Sequence, residues 1–171
     1  MGDHDHAHAA ALLDAYLHAR YAVQAGGRWR ALRIGAPPPS ALLRALPGAT
    51  RFGVITAWNP GSVPCDARRN AAADRRLRAA LDALSPVAPL RTRACAPDGG
   101  WQEPGWLVPG LEAATLDALA RRFGQLGTLH WAAGGPVRLR MDAAPPPGAA
   151  ERSPYVDWLR DFRAQRAPAT A

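Results

Sequence analysis

The sequence predicts an α/β (α+β) fold: a single domain with a mixed sheet flanked by helices, followed by a tethered C-terminal amphipathic helix. Three observations lead there. Short β-branched or apolar runs alternate with segments whose apolar residues recur at helical spacing. Two pairs of those runs are joined by glycine-rich turns, which argues against a purely parallel sheet. A Pro-rich stretch then separates this body from a last amphipathic segment. The expected organisation is a disordered tail over 1–8, a mixed α/β domain over 9–142, a Pro/Ala-rich linker over 143–152, a helix over 153–165 and a disordered tail over 166–171.

Residues 1–8 (MGDHDHAH) hold three closely spaced histidines, but a terminus without fixed geometry makes a poor metal site, and a frayed tail is expected. From Ala9 the pattern turns helical, with Leu13, Tyr16, Leu17 and Tyr21 on one face. Gly26 and Gly27 make a turn into a short strand over 29–34, with Leu32 and Ile34 on one side. Ser40 caps a short helix over 41–46, which Pro47 and Gly48 end.

The central stretch is RFGVITAWNP, residues 51–60. Phe52, Val54 and Ile55 make a buried strand that turns polar at Thr56 and closes on Trp58, Asn59 and Pro60. A strand that delivers polar side chains into a loop before a helix is where open α/β sheets bind ligands. Asp66 caps that helix, which runs to about Leu84 before Ser85 and Pro86 stop it. Ala73, Leu77, Leu81 and Leu84 form its buried stripe, and the same period carried backward passes through Asn70. Asn70 therefore faces the sheet, while Arg68, Arg69, Arg75 and Arg76 face elsewhere. A buried amide needs partners, so Asn70 ties down the Asn59–Pro60 loop first and reaches a ligand second.

Residues 87–95 read as a strand and 96–100 (APDGG) as a turn. WQEPGWLVP follows, with Glu103 between two tryptophans ahead of a strand over 106–108. A carboxylate beside aromatic surface is a candidate acid or base; the plainer reading is a partner for one of the arginines. Leu116, Leu119, Ala120 and Phe123 give the apolar face of a helix over 111–123, with Gly124 at its C-terminal cap and Gln125 beyond. Strands over 126–131 and 137–141 flank a Gly134-Gly135 hairpin turn. His130, inside the first, reads as a satisfied core or rim residue. Ser153 and Pro154 start the last expected helix, whose apolar face is Tyr155, Trp158, Leu159 and Phe162.

Composition narrows function by exclusion. A single domain of 171 residues buries about 70% of its unfolded-chain surface, enough for a core without disulfide or metal. Cys65 and Cys95 show neither metal nor redox spacing, no membrane-length apolar run is present, and a secretory pattern is lacking, so the cytoplasm is the expected location. All 21 basic residues are arginine. Without lysine there is no Schiff base and no phosphate-loop lysine. Abundant alanine, proline and glycine fit a GC-rich codon bias, and the arginines are spread along the chain, which favours solvated helix faces over a nucleic-acid surface. There is no GxGxxG after a strand, no HExxH and no nucleophile elbow. Ser40, Ser62, Ser85 and Ser153 read as caps or turn residues.

The order of four motifs resembles the bacterial family known as domain of unknown function 3293. They are ITAWNP (55–60), Asn70 in the next helix, Glu103 ahead of a short strand, and ARRFGQ (120–125), and the likeness spans roughly 16–131. It implies a small cytoplasmic bacterial α/β protein and carries over no catalytic role. It does draw attention to Thr56, Asn59, Asn70, Glu103 and Gln125 as a set.

The leading expectation is a small-molecule or nucleotide-like ligand site at the end of strand 52–58. Its ligand-binding residues would be Thr56, Trp58, Asn59, Asn70, Glu103 and Gln125, with Trp101 or Trp106 as further flat surface and Glu103 as the acid/base candidate. No cofactor and no metal are expected. The alternative is a non-catalytic module that docks a protein partner through Tyr155, Trp158, Leu159 and Phe162. A third reading, weak arginine-mediated nucleic-acid binding, ranks below both.

Overall fold

The computed structural model describes residues 3–160, with side chains from Ala7 onward. Helices α1 (Asp3–His18), α2 (Ser40–Ala45), α3 (Ala67–Leu84), α4 (Ala113–Arg122) and α5 (Ala149–Arg152) accompany eight strands. These are β1 (Arg20–Ala25), β2 (Arg28–Leu32), β3 (Arg51–Ile55), β4 (Leu90–Cys95), β5 (Gln102–Pro109), β6 (Gly127–Ala132), β7 (Arg138–Met141) and β8 (Val156–Trp158). All eight form one sheet in the order β2-β1-β4-β5-β3-β6-β7-β8. Every neighbouring pair is antiparallel except β7 with β8, so the mixed α+β sheet that the sequence predicts is the one observed.

The sheet curls. Ile34, just past β2, bridges in parallel to Val137, just ahead of β7. Hydrogen bonds from Gly35 N–H to the Val137 carbonyl (2.8 Å) and from Val137 N–H to the Ala36 carbonyl (2.9 Å) hold the seam. Strand alternation then sends successive side chains to the two faces of the curl. Phe52, Val54, Leu107, Leu129, Trp131 and Leu139 point into the concave face, where Leu13 of α1 and Leu42 of α2 join them. Ile55, Trp106 and Val108 point to the convex face, which α3 covers with Leu77 and Leu81 and α4 with Leu116 and Leu119. Leu77, Leu81, Leu107 and Leu116 are fully buried. Truncating any one to alanine removes apolar burial and leaves a cavity, at a cost of ~2–5 kcal/mol.

Three expectations change. Helix α1 begins at Asp3, so residues 3–8 are helical where a frayed tail was expected. Ala7, Ala9, Ala10 and Ala11 favour helix. The first helix also ends before Tyr21, which belongs to β1; the alternation of Tyr21, Val23 and Ala25 mimics a continued helical face over so short a stretch.

The third change is at the C-terminus. In place of a helix starting at Ser153, Val156–Trp158 form β8, paired in parallel with β7. Leu139 N–H donates to the Tyr155 carbonyl and Leu159 N–H to the Met141 carbonyl, each at 2.9 Å. Val156 is buried, while Asp157, on the other face, accepts from Arg138 and Arg140. Tertiary pairing overrides the helical spacing of Tyr155, Trp158 and Leu159, and the inward face becomes Val156 and Trp158. The preceding linker is also anchored: it ends in α5, and Ala149 is buried in the concave core. Phe162 and the expected tail over 166–171 lie outside the described residues. No helix among the described residues is long and apolar enough to cross a membrane.

Candidate functional site

β3 ends at Ile55, and the chain leaves the sheet through a turn held by side chains. Thr56 Oγ1 donates to the Pro104 carbonyl (2.8 Å) and accepts from Trp58 N–H (3.0 Å), fastening the exit to β5. Asn59 is left-handed, with φ 50°, and caps a single 3-10 turn, Pro60–Ser62, in which Ser62 is left-handed too (φ 58°). Such backbone is unfavourable for residues with a Cβ and persists only where surroundings over-determine it.

Here the surroundings do so. Asn59 N–H donates to Asn70 Oδ1 (2.9 Å), and Asn70 Nδ2 donates back to Asn59 Oδ1 (3.0 Å). Asn59 Oδ1 also accepts from Cys65 N–H (3.0 Å), and Asn70 Nδ2 reaches the Cys65 carbonyl (3.1 Å). Gly61 N–H donates to the Gly124 carbonyl at 2.7 Å. Gly124 (φ 67°) lets the loop and the end of α4 approach, because a Cβ there would meet Pro60 Cβ at 2.8 Å. Gln125 Nε2 donates to the Trp58 carbonyl at 3.0 Å.

The remaining donor of this network points at Glu103. Asn59 Nδ2 donates to Glu103 Oε1 (2.9 Å), and Trp101 Nε1 donates to the same oxygen (2.8 Å). Oε2 has no protein partner among the described residues. The arginine partner expected for Glu103 is absent from the described ion pairs: two neutral N–H donors orient the carboxylate in its place. Burial pushes the Glu103 carboxyl above the ordinary value, and the bonds from Asn59 and Trp101 work against that shift.

Glu103 lines a cavity of about 420 Å³ on the concave face. Val54, Leu129 and Leu139 are among its apolar lining, α1 contributes Leu12, Ala15 and Tyr16, and Ser62 and Trp101 line it too. Register explains the arrangement: Ala94 of β4 lies opposite both Glu103 and Tyr21, which puts Glu103 and Tyr21 in one cross-strand row. The Tyr21 hydroxyl donates to the Tyr16 carbonyl (2.8 Å), and the Tyr16 hydroxyl lies 3.3 Å from Ser62 Oγ. Burial holds both phenols protonated beyond the usual tyrosine range. Gly127 is where Tyr16 lies against β6; a Cβ there would fall 2.4 Å from the ring. The result is a largely apolar pocket whose lining includes a carboxylate, a phenol and a hydroxyl.

Of the six residues expected to bind a ligand, Asn59, Asn70 and Glu103 are joined directly, with Thr56, Trp58 and Gln125 bracing the same loop. Only Thr56 and Glu103 line the cavity. Trp101 lines it as well, whereas Trp106 is on the opposite face, between the guanidinium groups of Arg78 and Arg91. Tyr16 is not among the expected site residues, and Ser62 is placed in the site loop without a role of its own. Tyr16 was assigned only to the apolar face of its helix, and its hydroxyl gives no periodic signal. Ser62 reads as a turn residue, which it also is. Among the described residues no group of three or more His, Cys, Asp and Glu side chains is arranged to hold a metal.

The loop, Asn70, Glu103 and Gln125 all fall within residues 55–127, which match the model of a family described as a protein of unknown function, DUF3293. Over this segment the chain is similar to the DUF3293 family. The matched span is shorter than the 16–131 suggested by the motifs, but contains all four of them. No curated protein and no solved structure matches the chain. The matched segment thus carries the whole network that orients Glu103, while α1, which walls the cavity, and β7 and β8 lie outside it.

Proposed function

We propose that this protein binds a small organic molecule in the concave cavity. The ligand's apolar body packs against Val54, Leu129 and Leu139, and a hydrogen-bond donor on it meets Glu103 Oε2. The observation that carries the reading is Glu103 itself: a carboxylate lining a ligand-sized cavity, with one oxygen held by two N–H donors and the other without a protein partner among the described residues. The acceptor selects an amine, an amide or an amino-bearing ring and disfavours a phosphate placed beside it. Of the nucleotide-like ligands the sequence allowed, a base-like ring suits this site and a phosphorylated one does not. Where a reaction follows binding, Glu103 is the group placed to exchange a proton.

The C-terminal segment supports a partner-docking reading less well. Trp158 packs against the concave core and Val156 is buried, so its apolar side already faces its own domain.

A thermal-shift screen of apolar amines, amino-heterocycles and nucleotides tests the proposal. A binder present at about 100 times its Kd adds ~2.7 kcal/mol and raises the melting temperature by roughly 5–10 °C. The shift should disappear in Ala15→Phe, which fills the cavity from α1, and shrink in Glu103→Gln. Binding that survives both variants, or a screen in which only phosphorylated compounds bind, would refute the reading.

A further inference from the structure

A second surface lies on the convex face, where β2, β1 and β4 carry no helix. These strands hold Arg20, Arg28, Arg30, Arg91 and Arg93 and not one acidic residue. Alternation and register put Trp29 and Ala31 of β2, Arg20, Ala22 and Gln24 of β1, and Arg91 and Arg93 of β4 on this face. Arg33 follows at the next position of the same alternation. Arg91 is paired with Asp74, but Arg20, Arg33 and Arg93 are exposed and make no ion pair among the described residues. The Arg93 guanidinium lies 4.4 Å from the centroid of the Trp29 ring, reaching across the small Ala22 of β1. Trp29 nevertheless remains 41% exposed. The arginines that looked dispersed in sequence are gathered by the sheet, and the acid nearest them in the chain, Asp98, accepts from Gly100 N–H.

We infer that this face binds single-stranded nucleic acid. Unpaired guanidinium groups neutralise backbone phosphates, and an exposed indole on a flat sheet gives a base a surface to stack on. A duplex keeps its bases stacked inside and cannot use Trp29, so the indole selects single strands. The small side chains of Ala22 and Ala31 let the strand approach the sheet. By register its side chains lie on the face of the sheet opposite the cavity, although Ala22 and Arg93 also border that cavity, and failure of this proposal would leave the small-molecule reading untouched.

The test is fluorescence anisotropy with a labelled single-stranded oligonucleotide of about twelve nucleotides and its duplex. Three neutralised phosphates predict an affinity that falls roughly twenty-fold between about 50 and 200 mM salt. Trp29→Ala should weaken binding about ten-fold, while Trp29→Phe retains most of it. Arg33→Gln with Arg93→Gln should weaken it well beyond Arg44→Gln with Arg122→Gln, which removes the same charge from α2 and α4. Melting curves by circular dichroism establish that each variant is folded. If Trp29→Ala does not fold, the two arginine pairs decide the matter. No binding at low salt, equal affinity for the duplex, or equal loss in both arginine pairs would overturn the proposal.

Discussion

Asn59 and Asn70 exchange hydrogen bonds: the backbone N–H of Asn59 donates to Asn70 Oδ1 and the Asn70 amide donates back to Asn59 Oδ1. One residue is in a strained loop and the other in the first turns of α3, so the pair fixes where the β3 exit meets the following helix. It also fixes Glu103, because the Asn59 amide that Asn70 positions is the one that donates to the carboxylate. Positioning of the carboxylate thus depends on a residue that does not line the cavity.

Replacing Asn70 with alanine leaves the Asn59 N–H and the Cys65 carbonyl without their side-chain partner. Asn70 is only 3% exposed, so water cannot substitute freely. The expected loss is ~2–4 kcal/mol, measured by denaturant unfolding. Asn59→Gly is the informative comparison: glycine accepts the left-handed backbone without strain, so its cost isolates the side-chain hydrogen bonds. A loss below about 0.5 kcal/mol in both variants would show that the network is ornamental.

The pH dependence of stability has two opposing contributions from this domain. The Glu103 carboxyl titrates above its ordinary value of 4.5 when folded, so the native state holds its proton longer than the unfolded chain. Its contribution is complete below about pH 4.5 and is lost as pH rises through the folded value. His130 behaves oppositely. Burial, with smaller opposition from its bond to the Leu111 carbonyl, lowers it from 6.5, so its contribution is present above that value and is lost on acidification through the folded one. Glu103→Gln should remove the decline on the rising limb of a melting-temperature profile, and His130→Gln the decline on the acid side. Unchanged profiles in both variants would contradict these assignments.

Two ion pairs of similar appearance should differ in worth. Arg140 makes two bonds to the mostly buried Asp117 (2.9 and 2.7 Å), tying β7 to α4, and also reaches Asp157 of β8. Arg78 makes comparable bonds to Asp82, but within one turn of α3 and in contact with water. Asp117→Ala leaves a largely desolvated guanidinium with less compensation and should cost ~2–4 kcal/mol. Asp82→Ala should cost under ~1 kcal/mol. The measurement is again denaturant unfolding, and equal costs would overturn the distinction.

Much of this was legible before the fold was known, and the reasons differ by residue. Asn70 could be placed by arithmetic, because an α-helix as long as α3 keeps its phase and the stripe through Leu77 and Leu81 fixes the face of every earlier residue; Leu84, expected to end that stripe, is instead exposed at the last turn. The polar exit of β3 was legible because Ile55 and Thr56 mark the change from buried strand to loop. Glu103 could be singled out by its aromatic neighbours, but not its partners: the Asn59–Glu103 contact joins residues 44 apart, and no local pattern encodes that pairing. The strands β1 and β8 were misread because each is short and follows or overlaps residues at helical spacing, and only pairing with β2, β4 or β7 makes them strands. The cavity was invisible for a related reason. It forms where α1 meets a curled sheet, and curl is set by the seam between Ile34 and Val137, a parallel bridge that no hairpin signal announces.

The most direct test of the central claim is a methyl NMR titration of the protein with the strongest amine or amino-heterocycle binder. Methyl signals of Val54, Leu129 and Leu139 should shift with the ligand, while those of Leu77, Leu81 and Leu116 under the convex helices should not. Perturbation confined to the convex set, or saturation binding that leaves the concave methyl groups unmoved, would contradict it.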